Sequence, residues 1–587
     1  MIAEQDIATT TSSNHTNAVV CDNIISNLKS LPHSLHASVD QVRSDQSITD
    51  NRDSTSNISN LTKTLTAFTL NELQTVVFKT IAEHSYSEEP QLRMFVAGPG
   101  GTGKSWIIDA LRTFFRVQNQ SHRLRVAAYT GVASKNIHGM TLHSALCLNK
   151  HNKRSAKAKA DLIAMWRKVN YLIIDEVSMV GCQLMLKIHE ALCEAKETTK
   201  LFGGINIIFV GDFAQLPPVG DTKLYSHIET EKVGTTKGQK NVFGKLLWLS
   251  VNRVIILTEL VQQNIQEDPR FTQLLSRLRI GSCTDDDYDF LAQKELRNMA
   301  TDFGNPTWTQ APIIVSNNDV KDRLNVEIAK SFAICTKQPL NFYHAMDKHN
   351  GKSIHDTDLR HKLWSYHSGK TEQRIGMLPL CKGMPVMITQ NYDVEHGIVN
   401  GCIGTLQRIN YTTDNEGHRY AHSCIIFAEK TSGPCLPHLK DHEVVVLAEE
   451  TSFSFTHPHS HIRSSFQRKQ LPITPAFALT AHKSQGNTLT AAILDLEGCL
   501  TTEAVYVMLS RVKKSHNICI LRPFRKAKIS TRISEDLRKE FRRLDFLHTH
   551  TLNSSTTSPT VDDHLGGIHD LENIERWYDK ELKKPKI

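Results

Sequence analysis

The chain has 587 residues, 40% of them apolar and 22% charged, which suffices for several domains with hydrophobic cores and excludes a mini-protein or a fibre. No segment approaches the roughly 18 consecutive apolar residues of a membrane-spanning helix, and twelve scattered cysteines without a C-x-x-C pair exclude a zinc knuckle or a disulfide framework. The net charge of +8 fits a surface that binds a polyanion such as nucleic acid.

The first 66 residues are predicted to be a disordered tail. Residues 1–60 contain 24 Ser, Thr or Asn and no sustained apolar period, so burial would not offset the entropy lost on ordering them. Three basic and seven acidic side chains lie in this segment, which leaves a net charge of +12 on the rest of the chain. Residues 1–42 contain a single basic residue, Lys29, unlike a secretory signal or a transit peptide. We therefore expect an intracellular protein with reduced thiols.

From Thr69 onward the pattern is that of an α/β protein. Thr69 and Glu72 are predicted to form the capping box of a helix that ends near His84. Buried strands are predicted at 94–97, 125–128, 171–174 and 205–210. Amphipathic segments alternate with these apolar runs, which predicts a parallel sheet with helices on its faces. A second series of strands is predicted at 313–315, 386–388, 492–496 and 518–521.

A long insertion interrupts the second series. Within it, 404–409, 424–427 and 444–447 are predicted to be antiparallel strands of a small β module. Near the C terminus, Leu537, Phe541 and Leu544 have helical spacing among basic residues, which favours an amphipathic helix over a localisation signal. The polar segment 546–567 is predicted to be flexible.

One segment has the spacing and the context of a phosphate-binding loop, because it follows a predicted strand and precedes a predicted helix at 106–115. The loop consists of Gly98, Pro99, Gly100, Gly101, Thr102, Gly103, Lys104 and Ser105. Its glycines let successive backbone N–H groups point at phosphate oxygens, and the helix dipole favours the same anion. Lys104 would reach the β and γ phosphates, and Ser105 would offer its hydroxyl to Mg²⁺.

A carboxylate pair follows the predicted strand at 171–174. Asp175 would hold Mg²⁺ together with Ser105, and Glu176 would orient or deprotonate the attacking water. A chance match to both the loop and the acidic pair is negligible. The sequence therefore predicts a nucleoside triphosphatase.

Three further motifs follow in an order typical of superfamily-one helicases: GDFAQLPP at 211–218, AHKSQG at 481–486 and YVMLSRV at 506–512. The chain resembles the Pif-type DNA helicases, relatives of bacterial RecD, over about residues 67–526. YTGVA at 129–133, TLHS at 141–144, EVSMV at 176–180 and VNG at 399–401 support the resemblance.

The resemblance implies an α/β fold of two RecA-like P-loop domains with parallel sheets that clamp ATP, with a small SH3-like β insertion in the second. The expected boundaries are 1–66 for the tail, 67–250 for the first domain, 251–395 and 471–526 for the second, 396–470 for the inserted module, and 527–587 for a C-terminal helix and flexible tail. Such proteins are motors that move 5′ to 3′ on single-stranded DNA and unwind duplexes.

The resemblance also implies roles for single residues. Gln74 is expected to read the adenine, Gln215 to sense the γ phosphate, and Arg511 to reach the same phosphate from the second domain. The expected catalytic residues are Lys104, Asp175, Glu176, Gln215 and Arg511. The expected DNA contacts are Thr130, His143, His482 and Lys483. For Phe213 and Tyr392 we favour packing over stacking on bases.

The chain departs from the family pattern at one position. In LTELVQQ at 257–263 the family has a second arginine directed at the γ phosphate, where this chain has Gln262. Because an arginine finger is worth about 10³ to 10⁵ in rate, we expect weakened but not abolished turnover.

Two alternatives to a working helicase stay open at this stage. One is a nucleotide-regulated DNA-binding protein whose motor has decayed, which Gln262 permits. The other is a helicase module derived from a mobile element. The expected partners are ATP, Mg²⁺, and single-stranded and forked DNA. We expect a monomeric motor, not attached to a membrane, in the nucleus, with the mitochondrion as an alternative additional location. Roles in DNA repair, recombination and telomere maintenance are family expectations.

His457, His459 and His461 alternate as the ligands of a metal site could, but Pro458 among them favours a solvated loop.

Overall fold

The structure, a computed structural model, describes residues 54–87, 89–148, 155–229, 234–260, 268–299, 304–432, 437–456 and 463–554. The described chain divides into two compact units. The core unit comprises Asn57–Lys321, Asn391–Gly401 and the residues from Ala478 onward, and the insertion unit comprises Asp322–Gln390 and Cys402–Phe477. In the described ranges, no helix combines the length and the apolar character needed to cross a membrane.

The first domain of the core unit is built on a six-stranded, fully parallel sheet in the order β3-β2-β4-β5-β1-β6. Its strands are β1 (Arg93–Ala97), β2 (Leu124–Ala128), β3 (Met140–Thr141), β4 (Tyr171–Asp175), β5 (Asn206–Gly211) and β6 (Arg253–Ile256). The four strands predicted here are confirmed. They are continuous apolar runs because helices cover both faces of a parallel sheet.

Among the described residues, the helices that accompany this sheet are α1 (Ser54–Ala67), α2 (Glu72–His84), α3 (Lys104–Val117), α4 (Gly131–Asn136), α5 (Leu142–Ala145), α6 (Ala156–Trp166), α7 (Cys182–Lys196) and α8 (Thr236–Leu249). Helix α1 lies in the predicted disordered tail, so that prediction is wrong for 54–66. Leu61 and Leu65, one helical turn apart, pack against the core of the first domain, and this contact orders the helix.

The capping box before α2 was placed two residues too early. Asn71, not Thr69, is the N-cap: its side chain accepts a hydrogen bond from Gln74 N, and the Gln74 side chain accepts one from Asn71 N. Asn is a stronger N-cap than Thr, so the Thr69 and Glu72 spacing, which also has the form of a capping box, was the misleading signal. The predicted end of the helix at His84 is confirmed.

The second domain of the core unit is a four-stranded parallel sheet in the order β19-β7-β20-β21. The strands are β7 (Ile313–Val315), β19 (Ala478–Thr480), β20 (Ala492–Leu494) and β21 (Ile518–Ile520). Its helices are α9 (Pro269–Arg279), α10 (Asp285–Ala292), α11 (Pro306–Thr309), α14 (Ala481–Ser484), α15 (Thr502–Leu509) and α16 (Ala527–Ser530). The two parallel sheets confirm the predicted α/β class.

The insertion unit contains two sheets, with orders β10-β9-β17-β16 and β11-β8-β14-β13-β12-β18, and β15 pairs with β14. Its strands are β8 (Asn341–His344), β9 (Met346–His349), β10 (Lys352–Ser353), β11 (Met377–Leu380), β12 (Pro385–Ile388), β13 (Ile403–Thr413), β14 (Arg419–Phe427), β15 (Glu443–Leu447), β16 (Glu449–Thr456), β17 (Arg463–Gln470) and β18 (Ile473–Pro475). Its helices are α12 (Asn318–Thr336), which begins in the core unit, and α13 (Thr357–Trp364).

The three antiparallel strands predicted in the insertion are confirmed as β13, β14 and β15. The predicted limits of 396–470 are too narrow, because β8 to β12 pair with the inserted strands, and 391–401 belongs to the core unit. The assignment of 386–388 to the parallel sheet is wrong, since β12 pairs antiparallel with β13 and β18. A short apolar run does not reveal which sheet it joins. The SH3-like form of the module stays a prediction.

A long C-terminal helix, α17 (Glu535–Ser554), lies against the edge strand β6. Thr551 Oγ1 accepts a hydrogen bond from Val254 N at 3.0 Å, and His548 Nδ1 accepts one from Ile256 N at 3.3 Å. The helix thereby satisfies N–H groups that an edge strand would leave unpaired. The predicted amphipathic helix is confirmed, but the predicted flexibility of 546–554 is wrong. The remainder, 555–567, lies outside the described residues.

Substituting Thr551 tests this edge cover. The Thr551 side chain is 5% exposed, so Thr551→Val leaves the Val254 N–H buried without its acceptor. We expect the free energy of unfolding to fall by about 1 to 3 kcal/mol, measured by urea denaturation. Thr549→Val is the matched control, because the exposed Thr549 hydroxyl bonds only to Asp545 O in its own helix. Equal losses in both variants would contradict the role of Thr551.

Candidate active site

The phosphate-binding loop lies between β1 and α3 at the carboxyl edge of the first sheet. Gly101 and Gly103 have φ angles of 87° and 78°, a left-handed conformation that favours glycine. Lys104 Nζ donates to Gly98 O at 2.7 Å and Pro99 O at 2.8 Å, so the ammonium lies over the mouth of its own loop. Burial lowers the pKa of Lys104, and nearby carboxylates, chiefly Asp212, act in the opposite direction.

The predicted acidic pair lies at the carboxyl end of β4. Asp175 is buried, and its Oδ1 accepts a hydrogen bond from Glu176 N at 2.8 Å. Burial, and then the charge of Glu176, raise the pKa of the Asp175 carboxyl, while Lys104 opposes them. A carboxylate that is buried beside another carboxylate is stabilised by a cation. The exposed Ser105 hydroxyl, at the start of α3, completes the donor set that fits Mg²⁺.

Two glutamines of the quoted motifs have buried amide groups. Gln485 Nε2 donates to Glu176 Oε2 at 2.8 Å, so an element of the second domain holds the predicted base of the first. Within the described part of the chain, the amide oxygens of Gln215 and Gln485 are buried and have no hydrogen-bond partner. Buried amide oxygens require donors, which a water molecule supplies. The amide oxygen of Gln485, whose nitrogen is bonded to Glu176, therefore fits a bound water next to that carboxylate.

Arg511 follows α15 and is 7% exposed. Its Nε donates to Val507 O at 2.9 Å and its Nη2 donates to Ser510 Oγ at 2.9 Å, which fixes the guanidinium to the end of its own helix. A Cβ placed on Gly100 would lie 4.0 Å from Arg511 Nη2, so the guanidinium faces the phosphate-binding loop. Burial lowers the pKa of Arg511, against the attraction of Glu176.

Motif residues that the sequence analysis left without a role also meet here. Asp212, directly after β5, is 1% exposed, and both of its carboxylate oxygens accept hydrogen bonds from Arg279 of α9. Tyr506 of α15 donates to Asp212 Oδ2 at 3.4 Å. Asp212 and Tyr506 stand inside quoted motifs and could have been selected there. Arg279 lies in no quoted motif, and only the fold brings it to the site.

Gln74 is buried below the phosphate-binding loop. Its Nε2 donates to Thr102 O at 3.0 Å, and its Oε1 accepts the capping hydrogen bond from Asn71 N. The side chain thus joins the start of α2 to the loop. Reading of the adenine by Gln74 stays a prediction.

The residues predicted to contact DNA lie on two short helices of the first domain and one of the second. Thr130 is the N-cap of α4, where its hydroxyl accepts from Ala133 N at 3.2 Å, and His143 is exposed on α5. Lys483 Nζ donates to Asn400 Oδ1 at 2.5 Å. Burial, and then the charge of Lys321, lower the pKa of Lys483 to about 8.

The glycine of the YTGVA motif connects these elements. A Cβ on Gly131 would lie 2.6 Å from Asn391 Oδ1 and 3.0 Å from Val399 Cβ, so the loop 391–401 packs closely on α4. Asn136 Nδ2 of α4 also donates to Gly486 O at 2.8 Å. The structure therefore brings Thr130, Lys483 and the VNG motif to one face of the core unit. Burial, and then Lys483, lower the pKa of the fourth predicted contact, His482.

The structure tests the prediction for Phe213 but not those for the remaining aromatic, glutamine and histidine positions. Phe213 is buried and packs edge-on against Trp248 with ring centroids 5.0 Å apart, which confirms packing for this ring. Tyr392 is half-buried, and its packing stays a prediction. Gln262 lies outside the described residues, as do His457, His459 and His461.

Comparison with known proteins agrees with this geometry. Residues 69–289, which contain the phosphate-binding loop, the acidic pair and Gln215, match the family model described as PIF1-like helicase. Over these residues the chain is similar to the PIF1-like helicases.

The ATP-dependent DNA helicase PIF1 of Emericella nidulans is 28% identical over 493 residues, which are 76% of this chain and 60% of that protein. The chain thus spans about three-fifths of the length of this relative. A crystal structure of the Pif1 helicase from Candida albicans has a TM-score of 0.55 at 23% identity and covers 81% of this chain and 99% of that one. The Bacteroides Pif1 helicase in complex with ADP-AlF3 and ssDNA has a TM-score of 0.57 at 21% identity, covering 81% and 97%. These likenesses concern the fold.

Proposed function

We propose that this PIF1-like chain is an ATP-dependent DNA helicase that moves 5′ to 3′ on single-stranded DNA and unwinds forked duplexes as a monomer. The observation that carries the proposal is the convergence of groups from both domains on one pocket. The first domain supplies Lys104, Asp175 and Glu176, and the second supplies Gln485 and Arg511. Hydrolysis at such a site depends on how the two domains are placed, which is what a motor requires.

The residues divide the chemistry of phosphoryl transfer among them. Lys104 exchanges its two carbonyl partners for phosphate oxygens when ATP enters the loop. Asp175 and Ser105 would hold Mg²⁺, which neutralises charge on the phosphates when it is bound. Glu176 accepts the proton of the attacking water, and Gln485 keeps the carboxylate in place. Gln215 donates from its amide nitrogen to the γ phosphate, and its buried amide oxygen is left to accept from a water molecule.

The proposed DNA path follows the face that contains Thr130, His143, His482 and Lys483. Hydroxyl, imidazole and ammonium groups suit phosphate oxygens, and contacts to phosphates leave the sequence unread, as a translocating motor requires. The net charge of +12 outside residues 1–60 supports binding to the DNA backbone. The Bacteroides relative, solved with ADP-AlF3 and ssDNA, supports the same pair of ligands.

The deciding experiment is steady-state ATP hydrolysis with and without single-stranded DNA, with Lys104→Ala as the inactive control. We expect hydrolysis that DNA stimulates and that the control lacks, followed by displacement of the duplex from a substrate with a 5′ tail but not from one with a 3′ tail. DNA binding with turnover no higher than the control would overturn the proposal. That result would favour a nucleotide-gated DNA-binding protein, the second candidate, to which Gln262 in place of the family arginine points.

A further inference from the structure

Asp212 is a buried carboxylate to which the proposed chemistry gives no task. It follows Gly211 at the end of β5, in the first domain, and its own backbone neighbour Ala214 N donates to Oδ1 at 3.1 Å. Its side chain is 0% exposed. A buried carboxylate is costly unless charged or polar partners surround it, so the partners of Asp212 indicate what it is for.

Both of its side-chain partners come from the second domain. Arg279, the last residue of α9, donates from Nη2 to Oδ1 at 2.9 Å and from Nε to Oδ2 at 3.2 Å, in the two-pronged geometry that fixes orientation as well as distance. Tyr506, on α15, donates its hydroxyl to Oδ2 at 3.4 Å. A single carboxylate of the first domain is therefore hydrogen-bonded to two helices of the second domain.

The same contacts lead to the phosphate-binding loop. Burial raises the pKa of the Tyr506 hydroxyl and the nearby backbone N–H of Gly100 acts to lower it, so this hydroxyl lies close to the loop as well as to Asp212. Arg511 is bonded to Val507 O and Ser510 Oγ, one residue and four residues after Tyr506. Because α15 is continuous from Thr502 to Leu509, fixing Tyr506 also fixes the guanidinium that faces Gly100.

The C-terminal helix supports Arg279 from the other side. The Arg279 guanidinium carbon lies 5.0 Å from the centre of the Phe541 ring in α17. A guanidinium on an aromatic face is attracted to it and is restricted in orientation. Arg279 is thus held between an aromatic ring and a buried carboxylate.

We propose that Asp212 is a positioning residue that latches the second domain onto the phosphate-binding loop, through Arg279 on α9 and Tyr506 on α15, and so sets Arg511 at the nucleotide. This inference rests on the proposed ATPase. It deepens that function by naming how closure of the two domains is fixed. With Gln262 in place of the family's second arginine, the placement of Arg511 decides more of the rate than it would in a chain with both arginines.

The chain offers a matched control on the same helix. Arg277, two residues before Arg279, makes an equally two-pronged pair with Asp287, at 2.7 and 2.6 Å, and Asp287 belongs to α10 within the second domain. Arg277→Gln and Arg279→Gln each remove one charge and one bidentate pair from α9. Only the second variant removes a contact between the domains. Arg279→Lys keeps the charge and loses the planar two-pronged geometry.

The test combines turnover with amide hydrogen exchange in the full chain. For Arg279→Gln we expect kcat for DNA-stimulated hydrolysis to fall about tenfold or more while KM for ATP changes little, since loss of an oriented charge acts on the transition state. Exchange should rise at 98–105 and 502–511 and stay unchanged elsewhere. Arg277→Gln should leave kcat and hydrogen exchange near those of the unchanged chain. Arg279→Lys should give values between those of the unchanged chain and Arg279→Gln.

Three results would overturn the latch. One is equal kcat losses for Arg277→Gln and Arg279→Gln, which would indicate a general effect on α9. Another is faster exchange in Arg279→Gln throughout the second domain, which would indicate unfolding. The third is unaltered exchange at 98–105. If the unchanged chain shows no hydrolysis, the proposed motor is wrong. The latch is still tested in that case, by comparing amide hydrogen exchange of the unchanged chain and Arg279→Gln with a non-hydrolysable ATP analogue bound.

Discussion

Glu176→Gln is expected to lower DNA-stimulated ATP turnover by about 10² to 10⁴, the usual contribution of a positioned general base. The substitution keeps the shape of the side chain and the hydrogen-bonding capacity toward Gln485, but it removes the proton acceptor. Nucleotide binding should persist, because the phosphate-binding loop and Asp175 are unchanged. The measurement is kcat by steady-state hydrolysis, paired with the dissociation constant of a fluorescent ATP analogue.

Glu190→Gln is the matched control for Glu176→Gln. Glu190 is an exposed carboxylate on α7, so the control also removes one negative charge from the first domain. Its turnover should equal that of the unchanged chain. A loss of less than about tenfold in Glu176→Gln would show that another group accepts the proton, and the role assigned to this carboxylate would then be wrong.

The strands of the two parallel sheets could be predicted from the sequence because each strand is an apolar run bounded by polar segments. The strands at 94–97 and 171–174 lie within one residue of the observed β1 and β4. The strand at 386–388 was found but placed in the wrong sheet, since pairing depends on partners far along the chain. Local pattern thus determines that a strand exists, and long-range contacts determine where it goes.

The candidate site divides in the same way. Lys104 and Asp175 could be selected from spacing alone, because the loop and the strand that hold them are local in sequence. Arg279 could not be selected in this way, because its role depends on contacts with Asp212, 67 positions earlier, and with the ring of Phe541. The capping role of Asn71 shows the same limit at short range, where two overlapping capping-box patterns compete for one helix start.

Arg511→Ala is expected to lower turnover by about 10³ to 10⁵, the range of an arginine finger, because the guanidinium faces the phosphate-binding loop. Arg511→Lys should recover only part of the loss, since an ammonium cannot reproduce the hydrogen bonds from Nε and Nη2 that fix the group to Val507 and Ser510. ATP binding measured in parallel should change far less than kcat. Similar losses in binding and in kcat would identify Arg511 as a residue that binds the ground state.

The reciprocal substitution, Gln262→Arg, restores the family arginine and is expected to raise kcat by roughly tenfold or more. If the two arginines act on the same phosphate, Gln262→Arg should also recover part of the activity lost in Arg511→Ala, and the two effects should not add. An unchanged kcat in Gln262→Arg would mean that this position has no part in hydrolysis here. In that case Arg511, held by α15 and the Asp212 latch, supplies the positive charge from the second domain.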